Sequence, residues 1–312
     1  MPNYNGVWSL TTQLQYNVDW PVFSQPRALF LGGNTGSKET VIQFIDVTTT
    51  GNASDFGDLT AGRASLMSAS SKIRAVAAGG NTGSAVNVID YVTIASEGNA
   101  SDFGDLSSTS QEGTGTGSST RGLFQLGLAT DNVNTIEYVT IASTGNATDF
   151  GDRTTTAAYG QDSAISSPTR GVFSGGFISN SVNIIDYVTI ASTGDATDFG
   201  DTSVTRYGMG GASSATRGVF GGGNTSGDTM DYITIASTGN ASDFGNLTNS
   251  PRYISGTSNG VRGVFGGGKV SSTRQDVIQY ITIASTGNAT DFGNLIASNF
   301  SLTATSGSHG GI

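Results

Sequence analysis

The side chains in this chain that could do chemistry come in sixes. The tripeptide Asp-Phe-Gly stands at Asp55, Asp102, Asp149, Asp198, Asp243 and Asp291, at intervals of 47, 47, 49, 45 and 48 residues. An Arg followed by Gly or Ala precedes each copy, at Arg27, Arg74, Arg121, Arg170, Arg217 and Arg262. An active site needs unlike groups that converge on one spot, and polar residues copied six times do not provide that. The Asp is expected to cap a turn by accepting backbone N–H groups. The six Arg could form a ring for an anionic ligand; the alternative is pairing within or between repeats. The residues just before the aromatic that follows each Arg, Asp90, Glu137, Asp186 and Asp231, with Gln43 and Gln279 in the outer copies, favour pairing. Acidic loops such as 146–152 offer oxygens that Ca²⁺ could take. The equivalents of Asp152 become Asn246 and Asn294, which weakens a repeated metal site. The Asn-Ala-Ser/Thr triplets match a glycosylation acceptor but read more simply as turns. With no Cys and a single His, His309, thiolate metal sites and disulfides are excluded. No catalytic residue, metal site or cofactor is expected, and the chain reads as not an enzyme.

The elements that carry these residues are short strands. In the unit at Arg217, Arg-Gly-Val-Phe-Gly-Gly-Gly is followed by a variable loop, Met230-Asp231-Tyr232-Ile233-Thr234-Ile235, and a turn into Asp243-Phe-Gly. Apolar and β-branched residues alternate in runs too short for an amphipathic helix. Each repeat offers four strands. Strand B starts at the Arg, strand C carries the Tyr (Phe44 in the first unit), strand D carries the Phe of Asp-Phe-Gly, and the small-residue segment before the next Arg is strand A. Four short strands at a period near 47 fit a propeller blade better than a solenoid coil. The fold is read as all-β, a six-bladed β-propeller over 27–312, with repeats starting near 27, 74, 121, 170, 217 and 262. Small residues suit strand A to the crowded centre, and the Tyr and Phe are expected to fill the space between blades. The first unit has no upstream strand A. A segment at about 299–307 looks like the missing strand and is expected to close the ring.

The unit resembles the kelch repeat, an apolar strand ending in Gly-Gly, a loop, a strand ending near Tyr, then a strand with a large aromatic. The pairs are Gly32-Gly33, Gly79-Gly80, Gly175-Gly176, Gly222-Gly223 and Gly267-Gly268, with Leu126-Gly127 departing in the third unit. Phe replaces the usual kelch Trp in all six. The wording Asp-Tyr-Val-Thr-Ile-Ala-Ser-Thr-Gly-Asn-Ala-Thr-Asp-Phe-Gly-Asp looks like repeat proteins of marine tailed phages, cyanophages especially. The opening Gly6-Val7-Trp8-Ser9-Leu10 and Trp20-Pro21 is similar to the start of phage structural proteins. These resemblances imply a virion component in the tail or on the capsid, with other virion proteins as partners. Asp-Phe-Gly is also a protein-kinase signature, but its companion Lys and His-Arg-Asp loop are missing. The Asp-x-Gly fragment resembles the Asp-box of six-bladed sialidases, so a carbohydrate-active enzyme is the alternative function. The copper oxidase on the kelch ring needs Cys and several His, which this chain lacks.

Where, then, would the chain bind? It has 312 residues and a formal net charge of −10, which disfavours nucleic acid. The opening Met1-Pro2-Asn3-Tyr4 shows no signal peptide, and no apolar run reaches the roughly 18 to 20 residues of a membrane span. Strands that alternate in direction put the B–C loops and D–A connections on one face. The C–D segment barely varies between units, whereas the B–C loops differ in length and wording. Binding sites favour variable loops on a rigid scaffold. Asn34, Lys38, Asn81, Asp131, Asn180, Asn224, Asp228, Lys269 and Arg274 are the candidate contact residues, for a virion protein or a host-surface glycan; unconstrained drift of the loops is the alternative. Residues 1–26 carry both Trp, Trp8 and Trp20, and could anchor the ring on another protein or pack on its own flank.

Overall fold

The computed structural model describes residues 26–128, 133–156 and 163–312. Trp8, Trp20 and Asp131 therefore lie outside the described residues. The described chain is strand and turn, without a helix long and apolar enough to cross a membrane.

Six antiparallel sheets follow one another around a ring. In blade 2 the order from the centre outwards is strand A Met67–Ser70, B Arg74–Ala78, C Val86–Thr93 and D Ser101–Ser110. The other B strands begin at the repeated Arg as expected: Arg27–Leu31, Arg121–Gln125, Arg170–Ser174, Arg217–Gly222 and Arg262–Gly266. Blade 6 adds a two-residue strand, Lys269–Val270, folded back on Thr273–Thr282.

Closure runs as the unused segment implied. Thr303–Ser306 pairs with Arg27–Leu31, in register from Ala28 with Ser306 to Leu31 with Thr303. Each innermost strand also touches the next, from Met67–Ser70 through Thr114–Gly117, Ser163–Ser166, Met209–Ser213 and Ser255–Ser258 to Thr303–Ser306 and back. Small residues permit this approach. A methyl on Gly115 would sit 2.3 Å from the Ser68 carbonyl oxygen. Hydroxyls stitch the circle: Ser68 to Thr303 and Ser70 to Thr305 at 2.6 Å, and Ser258 donating to the Ser213 carbonyl at 2.6 Å.

There is no single core. Six apolar clusters each lie between two consecutive blades. One joins Phe56, Leu59 and Leu29 of blade 1 to Ala75, Val92 and Ile94 of blade 2, and another joins Phe292 and Val264 of blade 6 to Phe30 and Val47 of blade 1. The Asp-Phe-Gly phenylalanines are buried in these seams. The strand C aromatics are half-buried, meeting the Phe of their own blade edge-on, as in Tyr91 with Phe103 at 5.9 Å and 76°.

Candidate binding face

The repeated polar residues face neighbouring blades. Each strand B Arg lies over the aromatic of its own strand C, at 4.3 to 4.8 Å from the ring centroid. Its Nη1 donates to a carbonyl at the end of the next blade's strand C: Ile94, Ile141, Ile190, Ile235, Ile283 or Val47. Pairing between blades is thus what these Arg do, though not with the carboxylates expected; among the described residues Arg27 adds an exposed ion pair, with Glu97 at 3.0 Å. Three of the four buried acids of strand C take other cations, while Glu137 accepts from the Ser107 N–H and hydroxyl. Arg63, Arg153 and Arg206, from the D–A connections, bind Asp90, Asp186 and Asp231 at 2.6, 2.9 and 2.7 Å, with every side chain essentially shielded from water. Burial lowers the Arg63 and Arg206 guanidinium pKa from the ordinary value, and the paired carboxylate works against that. The sequence signal was available: at eight residues past the Asp of Asp-Phe-Gly, Arg63 and Arg206 precede blades with Asp, whereas Asn299 and Pro251 precede those with Gln43 and Gln279.

The Asp of Asp-Phe-Gly does not cap a turn. Asp55 and its equivalents are exposed, and the bonding falls to the Asn or Asp three residues earlier. Asn99 of blade 2 accepts from the Asp58 N–H of blade 1 at 3.0 Å, while Gly98 and Ala100 donate to the Phe56 and Asp58 carbonyls at 2.8 and 2.7 Å. This clasp recurs at all six seams, the last one joining Gly51 and Ala53 of blade 1 to Phe292 and Asn294 of blade 6. Gly57 is obligatory in it: its φ is +148°, and a Cβ there would stand 2.4 Å from the Gly98 oxygen. The near-verbatim wording of the repeat is therefore a blade-to-blade contact. Among the described residues no three His, Asp or Glu side chains gather where a metal ion could be held.

The central channel is filled. Strand A residues line two small cavities of about 50 and about 40 Å³, room for a few waters. On the D–A face, backbone bonds run around the rim: Glu112 to Ser65, Ser65 to Ser301, Ser301 to Tyr253 and Tyr253 to Gly208. Across the other mouth lie residues 307–312. His309 donates from Nε2 to the Ser70 carbonyl of blade 2 at 3.1 Å and accepts at Nδ1 from Gly311, while a methyl on Gly311 would meet the Gly117 oxygen of blade 3 at 2.0 Å.

Desolvation pushes the His309 imidazole from 6.5 down to about 4, although its bond to Ser70 favours the charged form. Between these values the unfolded chain binds the proton and the native chain does not. The neutral ring's contribution is complete above pH 6.5 and is lost as pH falls to about 4. Its ceiling is about 3 kcal/mol, reduced by the ring's remaining contact with water. The melting temperature is expected to fall more steeply across that window than in His309→Gln; parallel curves would clear His309 of the effect.

The loops of the D–A face are tied together in pairs. The first residue of a B–C loop bridges to the preceding D–A connection: Asn34 with Phe300, Asn81 with Ala64, Leu128 with Gln111, and Lys269 with Arg252. These bridges place both kinds of loop on one face. Asn34 and Asn81 each accept from the N–H two residues on, Asn81 also meets Gln111, and Asn224 holds the Tyr207 N–H and Ser181. Asn34 and Asn81 shape their own loops, and Asn224 ties its loop to the neighbouring connection and blade. Lys38 bridges back to Asn34, Asn180 sits exposed at a loop tip, and the Asp228 carbonyl accepts from Leu247. Apart from Asn34 and Lys38, which bridge within one loop, and Asn224 and Asp228, which share one, these residues sit on separate loops. Lys269 and Arg274 meet, as register partners, and the sequence reading missed the residues beside them: Arg252, Tyr253 and Phe300.

The molecule is thus a six-bladed β-propeller with a filled channel, whose six copied motifs join its blades and whose sequence variation is carried mainly on one face. No known family model matches the chain, and a comparison with curated proteins likewise finds no match.

Proposed function

We propose that this propeller is a non-catalytic structural or adhesion module of a tailed-phage particle, in the tail or on the capsid. It would meet a neighbouring virion protein or a host-surface glycan through the B–C loops and D–A connections. The repeat wording, similar to that of marine phage repeat proteins, supports the setting. One observation carries the binding role: the sixfold motifs are engaged between blades, which leaves the variable loops of one face as the main diverse surface. A filled channel also offers no room on the ring axis for a sugar substrate.

The test applies the labelled full chain to arrayed bacterial surface glycans and separated virion proteins. Beside it runs a chain whose loops 34–40, 81–86, 177–182 and 269–277 are replaced by the blade 5 loop 224–229. The parent is expected to bind, without releasing sugar, and the exchanged chain to lose about tenfold or more. Undiminished binding by the exchanged chain, or turnover of a glycan, would sink the reading.

A further inference from the structure

Three cations meet at the seam between blades 5, 6 and 1 on the loop face. Arg252 lies in the D–A connection entering blade 6; Lys269 and Arg274 flank the tip of that blade's extra hairpin. Backbone bonds fix them side by side. Arg252 and Lys269 exchange N–H to carbonyl bonds at 2.9 and 2.8 Å, and Lys269 is the register partner of Arg274. Beneath them is Phe300: the Lys269 Nζ stands 3.5 Å from its centroid and the Arg274 Cζ 5.7 Å, while Arg252 lies over Tyr253 at 5.5 Å.

Like charges held together need a reason. Among the described residues no carboxylate lies within 4.0 Å of any of the three, in a chain whose net charge is −10. The Nε groups of Arg252 and Arg274 are shielded from water and make no hydrogen bond. Partial desolvation lowers the Lys269 pKa, and the charges of Arg274 and Arg252 lower it further, while Glu112 acts on Tyr253, the ring beneath Arg252. Ring faces offset only part of this. Elsewhere on the molecule, buried cations are each matched to an Asp.

The cluster borders a concavity of about 410 Å³, a size suited to a small ligand. Besides Arg252 and Lys269 its walls are Asn224, Ser250, Ser271, Ser272 and two glycines. Hydroxyl, amide and bare backbone next to paired cations suit a ligand that is both anionic and rich in hydroxyls. An acidic peptide would present apolar carbon that these walls do not match.

We infer that the blade 5–6–1 seam binds an acidic sugar, its carboxylate or sulfate on Arg252, Lys269 and Arg274 and its hydroxyls toward Asn224 and the serines. This deepens the proposed loop-face function and rests on it.

Isothermal titration of the full chain with an oligogalacturonate, a sulfated oligosaccharide, a neutral dextran oligomer and hexaglutamate tests the idea. One or both acidic sugars are expected to bind at one site per chain, more weakly as salt rises, and the neutral sugar not to bind; which acidic sugar binds tells carboxylate from sulfate. Lys269→Glu with Arg274→Glu is expected to weaken binding about tenfold or more. The milder Lys269→Gln with Arg274→Gln, checked for an unchanged melt, is expected to weaken it in the same direction. No binding of either acidic sugar, equal binding of hexaglutamate, or unchanged affinity in a folded variant would overturn the site. The exchanged chain described above loses Lys269 and Arg274 together with the other loops, whereas the Lys269 and Arg274 variants leave those other loops intact. Loss of binding in the exchanged chain but not in those variants removes the seam and keeps the face, whereas undiminished binding in both removes the face.

Discussion

A chain cut before Ser298 is expected to aggregate during purification, or to melt about 8 °C or more below the full chain. Residues 298–312 supply the strand that blade 1 cannot take from its own repeat. Without Thr303–Ser306, the backbone of Arg27–Leu31 loses its inner partner and shows a bare edge, the feature that invites strand addition from other molecules. Leu302, buried against Phe292 and Phe30, leaves a gap in the last seam. Asn299 goes too, and with it the bonds from its amide to the Gly32 carbonyl at 2.9 Å and from the Asn34 N–H at 2.6 Å. One buried Leu plus these bonds amounts to about 5 kcal/mol or more, which corresponds to the stated fall in melting temperature. Size-exclusion chromatography with light scattering and a thermal melt read the outcome. A monomer melting within a degree or two of the parent would mean that the ring is held without this strand.

Asp231→Asn should be among the most damaging single changes available, at about 3–5 kcal/mol, because it strands a buried charge. Arg206 reaches the Asp231 carboxylate at 2.7 Å, donates to the Thr229 and Gly222 carbonyls at 2.6 and 3.1 Å, and is completely inaccessible to water. Asp231 also accepts from the Ser203 N–H and hydroxyl, so the turn leaving blade 4 depends on it. The ring contains its own control. In blade 1 the corresponding pair is the uncharged Asn299 and Gln43, and Gln43 accepts from the Ile296 N–H at 2.8 Å. The double change Arg206→Asn with Asp231→Gln is therefore expected to recover much of the loss, since it removes both charges and keeps the turn's acceptor. Denaturant unfolding of Asp231→Asn reads the loss, and that of Arg206→Asn, Asp231→Gln and the double variant closes the cycle. Additive losses would show that the two residues do not act as a pair.

Blade number, strand order and the closing segment could be read because they depend on local pattern. Alternation at period two marks a strand, a period near 47 marks a blade, and a spare strand at one end with a vacancy at the other marks the closure. The same reading misassigned polar partners. Asp90 was matched to the strand B arginines, whereas Arg63 holds it. Asp55 was given a capping role that Asn52 and its equivalents perform across the seam.

What the sequence determined by itself was the repeat: six like units of four strands, each too small to bury its aromatics alone, so that a closed stack was the consistent solution. The pairing between units, by contrast, follows from how whole blades pack. Arg252, Lys269, Arg274 and Phe300 come from three separate stretches of chain, and nothing in their spacing brings them together. The tilt of one blade on the next sets which side chains share a seam, and packing of whole sheets fixes that tilt. The same packing lays residues 307–312 across the channel and puts His309 against Ser70.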